Sequence, residues 1–199
     1  MLRRSPLLLS LLLSLAACNK TSEPPSSGEG PSPPARTSTA GGPGAAVNPR
    51  PNGPADVAWD APATWTKAER TPPMRKASYT VPRAPGDAED GELSVSQAGG
   101  SVDQNVARWA QQLDKKPQDA KRAERTVNGL KVTLVEIHGD YTAMPMPGAP
   151  PAVKKPGFAL LGAIVETSPP TFFKLVGPEK TAVAAQRDFD KLVESLHAK

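Results

Sequence analysis

The sequence predicts an α+β domain in which two main helices pack on an antiparallel β-sheet of about six strands. Three observations lead to this prediction. First, segments with the two-residue alternation of a strand occur in pairs. Second, stretches with the helical spacing of apolar residues separate or follow those pairs. Third, an Asn-Gly dipeptide joins two strand-like segments. The predicted order is β-β-α-β-β-loop-β-β-α, and its short connections favour antiparallel neighbours.

The first two strands open the domain. Tyr79 and Val81 alternate with polar residues in the first strand, and Leu93 and Val95 do so in the second. Before both strands, residues 58–65 carry two tryptophans around a proline. Because such large rings usually cover the edge of a core, we expect them to pack there.

A helix follows the second strand. Ser101 and Gln104 have the spacing of a capping box, which predicts that the helix begins after Ser101. The helix must end before Pro117. Its predicted buried stripe consists of Val102, Val106, Trp109 and Leu113.

The clearest hairpin comes next. Residues 123–127 and 130–141 flank Asn128-Gly129, which suits a type I′ turn. The second arm has apolar residues on both faces, and we expect it to be a central strand that is covered on each side. Residues 144–157, with five prolines, two methionines and Lys154-Lys155, predict a long loop.

Two further strands and a helix complete the domain. Residues 158–165 and 171–176 form the strand pair, and Gly177-Pro178 begins the helix with Glu179 in its first turn. His197 is placed in the last helical residues. The predicted buried stripe of this helix is Ala182, Ala185, Phe189, Leu192, Val193 and Leu196.

This element order resembles a known group of exported proteins. With its Trp/Pro opening and its terminal helix ending in Phe189-Asp190-Lys191-Leu192-Val193-Glu194-Ser195-Leu196, the region 57–199 resembles PsbP-like and DcrB-like α/β domains. The resemblance implies an accessory or binding module. It carries over no shared catalytic residues.

The N-terminus has the layout of a cleaved export signal. Arg3 and Arg4 precede an apolar run, Leu7 to Leu15, which is interrupted only by two serines. This run is too short to cross a hydrocarbon core of about 30 Å as a helix. We therefore expect residues 1–17 to be a signal peptide and not a retained membrane span.

The residues that close this signal resemble the lipobox of bacterial lipoproteins. Leu15-Ala16-Ala17-Cys18 places small residues before the only cysteine of the chain. The resemblance implies a diacylglyceryl group on the Cys18 thiol, cleavage after Ala17 and acylation of the new amine. Asn19, in place of an aspartate, favours the periplasmic face of the outer membrane over the inner membrane. Two or three acyl chains would anchor the protein stably.

Composition divides the rest of the chain. Residues 18–56 consist mainly of Ser, Thr, Pro, Gly and Ala, and we expect a disordered tether that carries the lipid. The 57–199 region is long enough for a single packed domain. Without Arg3 and Arg4 the chain has 22 basic and 20 acidic residues. This near balance argues against nucleic acid as a partner.

A weak candidate for a metal site lies at the end of the hairpin. Glu136, His138 and Asp140 point to one side of a strand at period two, and their donors suit a divalent ion such as zinc. A polar strand end that emerges into solvent is the favoured alternative. Met144 and Met146 are weaker candidates for copper ligands. We predict no resident metal or other cofactor.

Three functions therefore stay open. The first is a non-catalytic envelope module that binds another envelope protein through the 144–157 loop or a sheet face. The second is a small-ligand or lipid carrier with a pocket between sheet and helix. The third is a metal-assisted hydrolase that uses Glu136, His138 and Asp140. No standard catalytic motif is present, so the first function is favoured.

Overall fold

A seven-stranded antiparallel sheet is the central element of the computed structural model, which describes residues 53–143 and 151–199. These residues lie within one compact unit. The order across the sheet is β2-β3-β4-β8-β7-β6-β5. Its strands are β2 (Thr66–Lys67), β3 (Arg75–Val81), β4 (Gly91–Gln97), β5 (Lys121–Val127), β6 (Leu130–Thr142), β7 (Lys154–Val165) and β8 (Thr171–Pro178).

Two helices and a small second sheet complete the fold. Helix α1 (Val102–Gln112) precedes β5, with a short 3-10 helix at Pro117–Asp119 between them, and helix α2 (Glu179–Glu194) follows β8. Strand β1 (Val57–Ala58) pairs with β9 (His197–Ala198) and so joins the two ends of the domain. The predicted fold class, an antiparallel sheet with two main helices packed on it, is confirmed.

Each helix covers a different face of the sheet. Trp109 and Leu113 of α1 pack with Ile137 and Leu160 on one face, which we call the α1 face. The opposite α2 face carries the larger core, and every residue of the predicted α2 stripe lies in it. That core also includes Leu93, Val95, Ala159, Leu161, Ala163, Phe173 and Leu175.

Local sequence signals account for the start of α1 and for the hairpin. The Ser101 hydroxyl accepts a hydrogen bond from the Gln104 amide at 3.2 Å, and the Gln104 side chain accepts one from the Ser101 amide at 3.0 Å. This capping box is the predicted one. In the hairpin, Asn128 and Gly129 have φ values of 47° and 82°, which a type I′ turn requires.

The tryptophans before β3 cover the core edge as predicted. The Trp59 ring packs edge-on against Phe173, with centroids 5.1 Å apart, and its Nε1 donates to the Tyr79 hydroxyl at 3.1 Å. Trp65 is buried in the same core. The two rings therefore act in packing.

Several predicted boundaries were wrong. Strand β7 begins at Lys154, so the last residues of the predicted 144–157 loop are strand; residues 144–150 lie outside the described part. Strand β8 extends to Pro178, and α2 begins one residue later, at Glu179. His197 is not helical, because it pairs with Ala58 in the small sheet.

In the two ranges that the structure describes, no helix combines the length and apolar character needed to span a membrane.

Candidate functional site

The predicted metal-site residues lie where β6 approaches the start of α2. Glu136 and His138 point to the α2 face, as does Leu134 two residues earlier, which packs against that core. His138 Nε2 lies 2.7 Å from Glu136 Oε1, and its Nδ1 lies 3.0 Å from Oε1 of Glu179 in the first turn of α2. Two of the three candidate residues are thus brought together, and α2 supplies a third group that the sequence did not indicate.

In this arrangement His138 is a hydrogen-bonded bridge between the carboxylates of Glu136 and Glu179. The two carboxylates both receive a hydrogen bond from His138 only when both ring nitrogens carry a proton. A metal ion would instead need the lone pair of one of these nitrogens. Among residues 53–143 and 151–199, no group of three or more His, Cys, Asp or Glu side chains is arranged to hold a metal ion.

Asp140 does not join Glu136 and His138, so the three side chains do not converge as the metal-site alternative required. The register of β6 and β7 shifts between Gly139 and Tyr141, which interrupts the alternation of side chains. Asp140 is instead directed to Lys154, whose Nζ lies 3.3 Å from Asp140 Oδ2 and 2.7 Å from Asp114 Oδ2 beyond the end of α1. The Asp140 amide donates to the Leu113 carbonyl at 3.1 Å.

The electrostatics of this strand end agree with an ion-pair network. The hydrogen bond from His138, assisted by Lys121 at 3.2 Å, lowers the pKa of Glu136. On the other side of the bulge, Asp114 and then Asp140 raise the pKa of Lys154. Charged forms are favoured at both places, which is typical of a solvated polar strand end.

A groove lies beside this network, between α2 and β5. Strand β5 is the outermost strand on its side of the sheet, and all of its residues except Val127 are exposed. The groove has a volume of about 210 Å³. Its floor is apolar, and its rim is charged; the lining includes Ala123, Leu134, Leu161 and Phe189 together with Lys121, Arg122, Arg125, Glu136, Gln186 and Asp190.

Two basic and two acidic side chains face this groove, Lys121 and Arg125 against Glu136 and Asp190, because Arg122 lies opposite Val135 on the α1 face of the sheet. Lys121 is paired with Glu136, and Arg122 with Asp103 at 2.5 Å. Arg125 forms no ion pair with any residue in the described ranges. The sequence marked β5 as one arm of a hairpin, but its position at the edge, beside α2, depends on the order of the strands.

The space between α2 and the sheet is filled. Ala182 and Leu192 have no exposed surface, and Phe189 is only 2% exposed. These side chains pack against residues of the sheet in one continuous core. The described residues thus give no support to a carrier pocket at this interface.

Three other candidates need separate mention. Cys18, Met144 and Met146 lie outside the described residues. His197 is exposed, and its Nδ1 lies 2.9 Å from the Ser195 carbonyl oxygen.

Comparison with known proteins gives similarities of structure alone. No family model matches the chain, and no curated protein is similar to it in sequence. A crystal structure from Bacteroides thetaiotaomicron VPI-5482 is 10% identical, with a TM-score of 0.37 over 72% of this chain; the match spans 45% of that chain. The solution structure of cyanobacterial PsbP (CyanoP) from Synechocystis sp. PCC 6803 is 13% identical, with a TM-score of 0.40 over 79% of this chain and 98% of that chain.

Proposed function

We propose that this chain is a non-catalytic binding module of a bacterial cell envelope, held at a membrane through a lipid on Cys18. The support for the anchor is the sequence Leu15-Ala16-Ala17-Cys18 behind an export segment. Asn19 favours the periplasmic face of the outer membrane. Pro54 and Asp56 are hydrogen-bonded to the domain, through Ser168 and Lys199, so the predicted tether ends before them. Its remaining residues, from 18 to 52, would let the domain reach partners some distance from the bilayer.

The observation that carries the binding role is the exposed edge of β5 beside a groove with an apolar floor. An edge strand presents alternate backbone N–H and C=O groups that an extended segment of another protein can pair with. The groove next to it offers apolar contacts to the side chains of such a segment. An edge strand and an adjacent helix together form a common peptide-docking surface.

Charge indicates what kind of segment fits. Lys121 and Arg125 line the groove against Glu136 and Asp190, and Lys121 is already paired with Glu136. Arg125 forms no ion pair among the described residues, and this cation at the edge of β5 favours an extended protein segment that carries an acidic side chain. As the partner we propose an envelope protein and not nucleic acid, because the chain as a whole carries little net charge.

Site-specific photo-crosslinking in intact cells tests this function. A photoreactive amino acid at Ala123 on β5 should give a discrete adduct, whereas the same group at Val183, which is 60% exposed on α2, should not. Arg125→Glu should remove the Ala123 adduct, because it replaces the groove's cation without an ion pair among the described residues by a carboxylate that repels an acidic segment. An adduct that is insensitive to Arg125→Glu, or the absence of any adduct, would reject the β5 surface.

A further inference from the structure

A row of polar side chains crosses the α1 face of the sheet beyond the edge of α1. Ser78 on β3 lies directly opposite Ser94 on β4, and Ser94 lies opposite Lys174 on β8. The next position along the row is Gly162 on β7, over which the Trp109 ring of α1 is packed. We call Ser78, Ser94 and Lys174 the polar row.

Burial makes this row unusual. Ser78 is 6% exposed and Ser94 is 8% exposed, although both lie on the half of this face that α1 leaves uncovered. Lys174 is the only partly exposed residue between Phe172 and Val176, and its neighbours along β8 are buried. Both serine hydroxyls have partners within the protein, since Ser78 accepts from Arg75 and Ser94 donates to the Lys174 carbonyl oxygen at 3.3 Å.

The Lys174 ammonium has only a neutral partner. Its Nζ donates to Oε1 of Gln112 at the end of α1, at 3.2 Å, and Gln112 is itself 8% exposed. Within the described ranges, Lys174 forms no ion pair with a carboxylate. Burial lowers the pKa of Lys174, and the positive charge of Arg75 lowers it further, while the carboxylate of Glu92 opposes the shift. A partly buried ammonium without a counter-ion is costly, since buried charges are otherwise paired.

The charges around the row do not balance. Arg75 Nη1 donates to the Ser78 hydroxyl at 3.1 Å and also binds Glu92. Glu92 lies one position along the face from Ser94, and its charge is engaged by Arg75. With two cations, Lys174 and Arg75, and the single carboxylate of Glu92, the cluster has a net charge of +1.

We propose that the polar row, together with Arg75, is a binding site for one carboxylate group. The Lys174 ammonium has two further N–H groups to donate, and the Ser78 hydroxyl, which accepts from Arg75, has its own proton to donate. A carboxylate carries one negative charge and would neutralise the cluster. A phosphate monoester, at about −1.5 to −2, would leave it negative. This site lies on the sheet face opposite to the β5 groove and does not depend on the function proposed for that groove.

An NMR titration tests the site on the full chain in detergent micelles. Acetate replaces chloride at constant ionic strength, and the backbone amides of Ser94, Gln112 and Lys174 are followed. We expect saturable shifts at these amides. Lys174→Met should weaken acetate binding about tenfold or more, because it removes a charge-assisted hydrogen bond. Lys191→Met, at an exposed cation on α2, is the matched control and should bind as the unmodified chain does.

One further probe, compared with acetate, separates the sources of the carboxylate. The blocked tripeptide Ac-Ala-Glu-Ala-NH2 represents a protein side chain, and acetate represents a small free acid. Saturable binding of either that depends on Lys174 supports the site, and their relative affinities identify the source. Saturation by inorganic phosphate alone, or no saturable shift in the unmodified chain, overturns the proposal even if Lys174→Met does not fold.

Discussion

Gly139→Ala is the sharpest test of how the end of β6 is built. Gly139 lies between His138 and Asp140, where the strand meets the end of α1. A Cβ at this position would lie 2.0 Å from the Leu113 carbonyl oxygen and 3.1 Å from its carbonyl carbon. Because both of these Leu113 atoms belong to the backbone, no side-chain rotation can relieve the contact. The strand and the helix would have to separate by more than 1 Å to reach the 3.4 Å of ordinary contact.

The expected cost follows from two contributions. Forcing an extra methyl group into a packed contact costs about 1–3 kcal/mol. The separation also lengthens the hydrogen bond from the Asp140 amide to the Leu113 carbonyl, worth about 1 kcal/mol. We therefore expect Gly139→Ala to reduce the free energy of unfolding by about 2–4 kcal/mol.

Urea unfolding, followed by tryptophan fluorescence, measures this loss. Gly99→Ala is the matched control, since a Cβ at Gly99 meets no atom within 4 Å and the residue is exposed. The control should stay within about 0.5 kcal/mol of the unmodified chain. If Gly139→Ala were equally neutral, the close approach of β6 to α1 would be refuted, and with it the explanation of why Asp140 turns away from His138.

Two further predictions concern Glu136 and Cys18. Glu136→Gln should destabilise the domain at pH 7 by less than about 1 kcal/mol, since the pair with His138 is partly exposed. The pKa of Glu136 is lowered in the folded state, so its contribution to the free energy of unfolding is fully present above its unfolded-state pKa and is lost as the pH falls through its folded-state pKa. The urea unfolding curves of Glu136→Gln and the unmodified chain should therefore converge in acid. Cys18→Ser should abolish salt-resistant association with membranes on fractionation, and unchanged association would contradict the lipid anchor.

Elements with a strong local pattern were predictable from the sequence. The capping box at Ser101, the Asn128-Gly129 turn and the α2 stripe each lie within one short segment, and each is present as expected. Pairings between distant short segments were not predictable. Strands β1, β2 and β9 have two residues each, too few to show an alternation.

The candidate site was half predictable for a related reason. Period two places Glu136 and His138 on one face, and they do share it. The same rule fails for Asp140, because the bulge after Gly139 changes the register and no residue type signals it. Glu179 was expected only to suit the helix dipole, and its contact with His138 depends on where α2 begins relative to β6.

Lys174 shows why sheet order is needed to find a site in this chain. In the sequence it is a single cation within the apolar stretch Phe172–Val176, where a lysine is expected to be the solvent-facing residue of a strand. Only the order β3-β4-β8-β7 places it between Ser94 and the glycine beneath Trp109, with Gln112 as its partner. Because α1 covers β6 and β7 but leaves β3 and β4 open, the polar row lies at the border of the apolar core. An ammonium at such a border loses much of its hydration but remains within reach of a ligand, and this combination makes a counter-ion from another molecule favourable there.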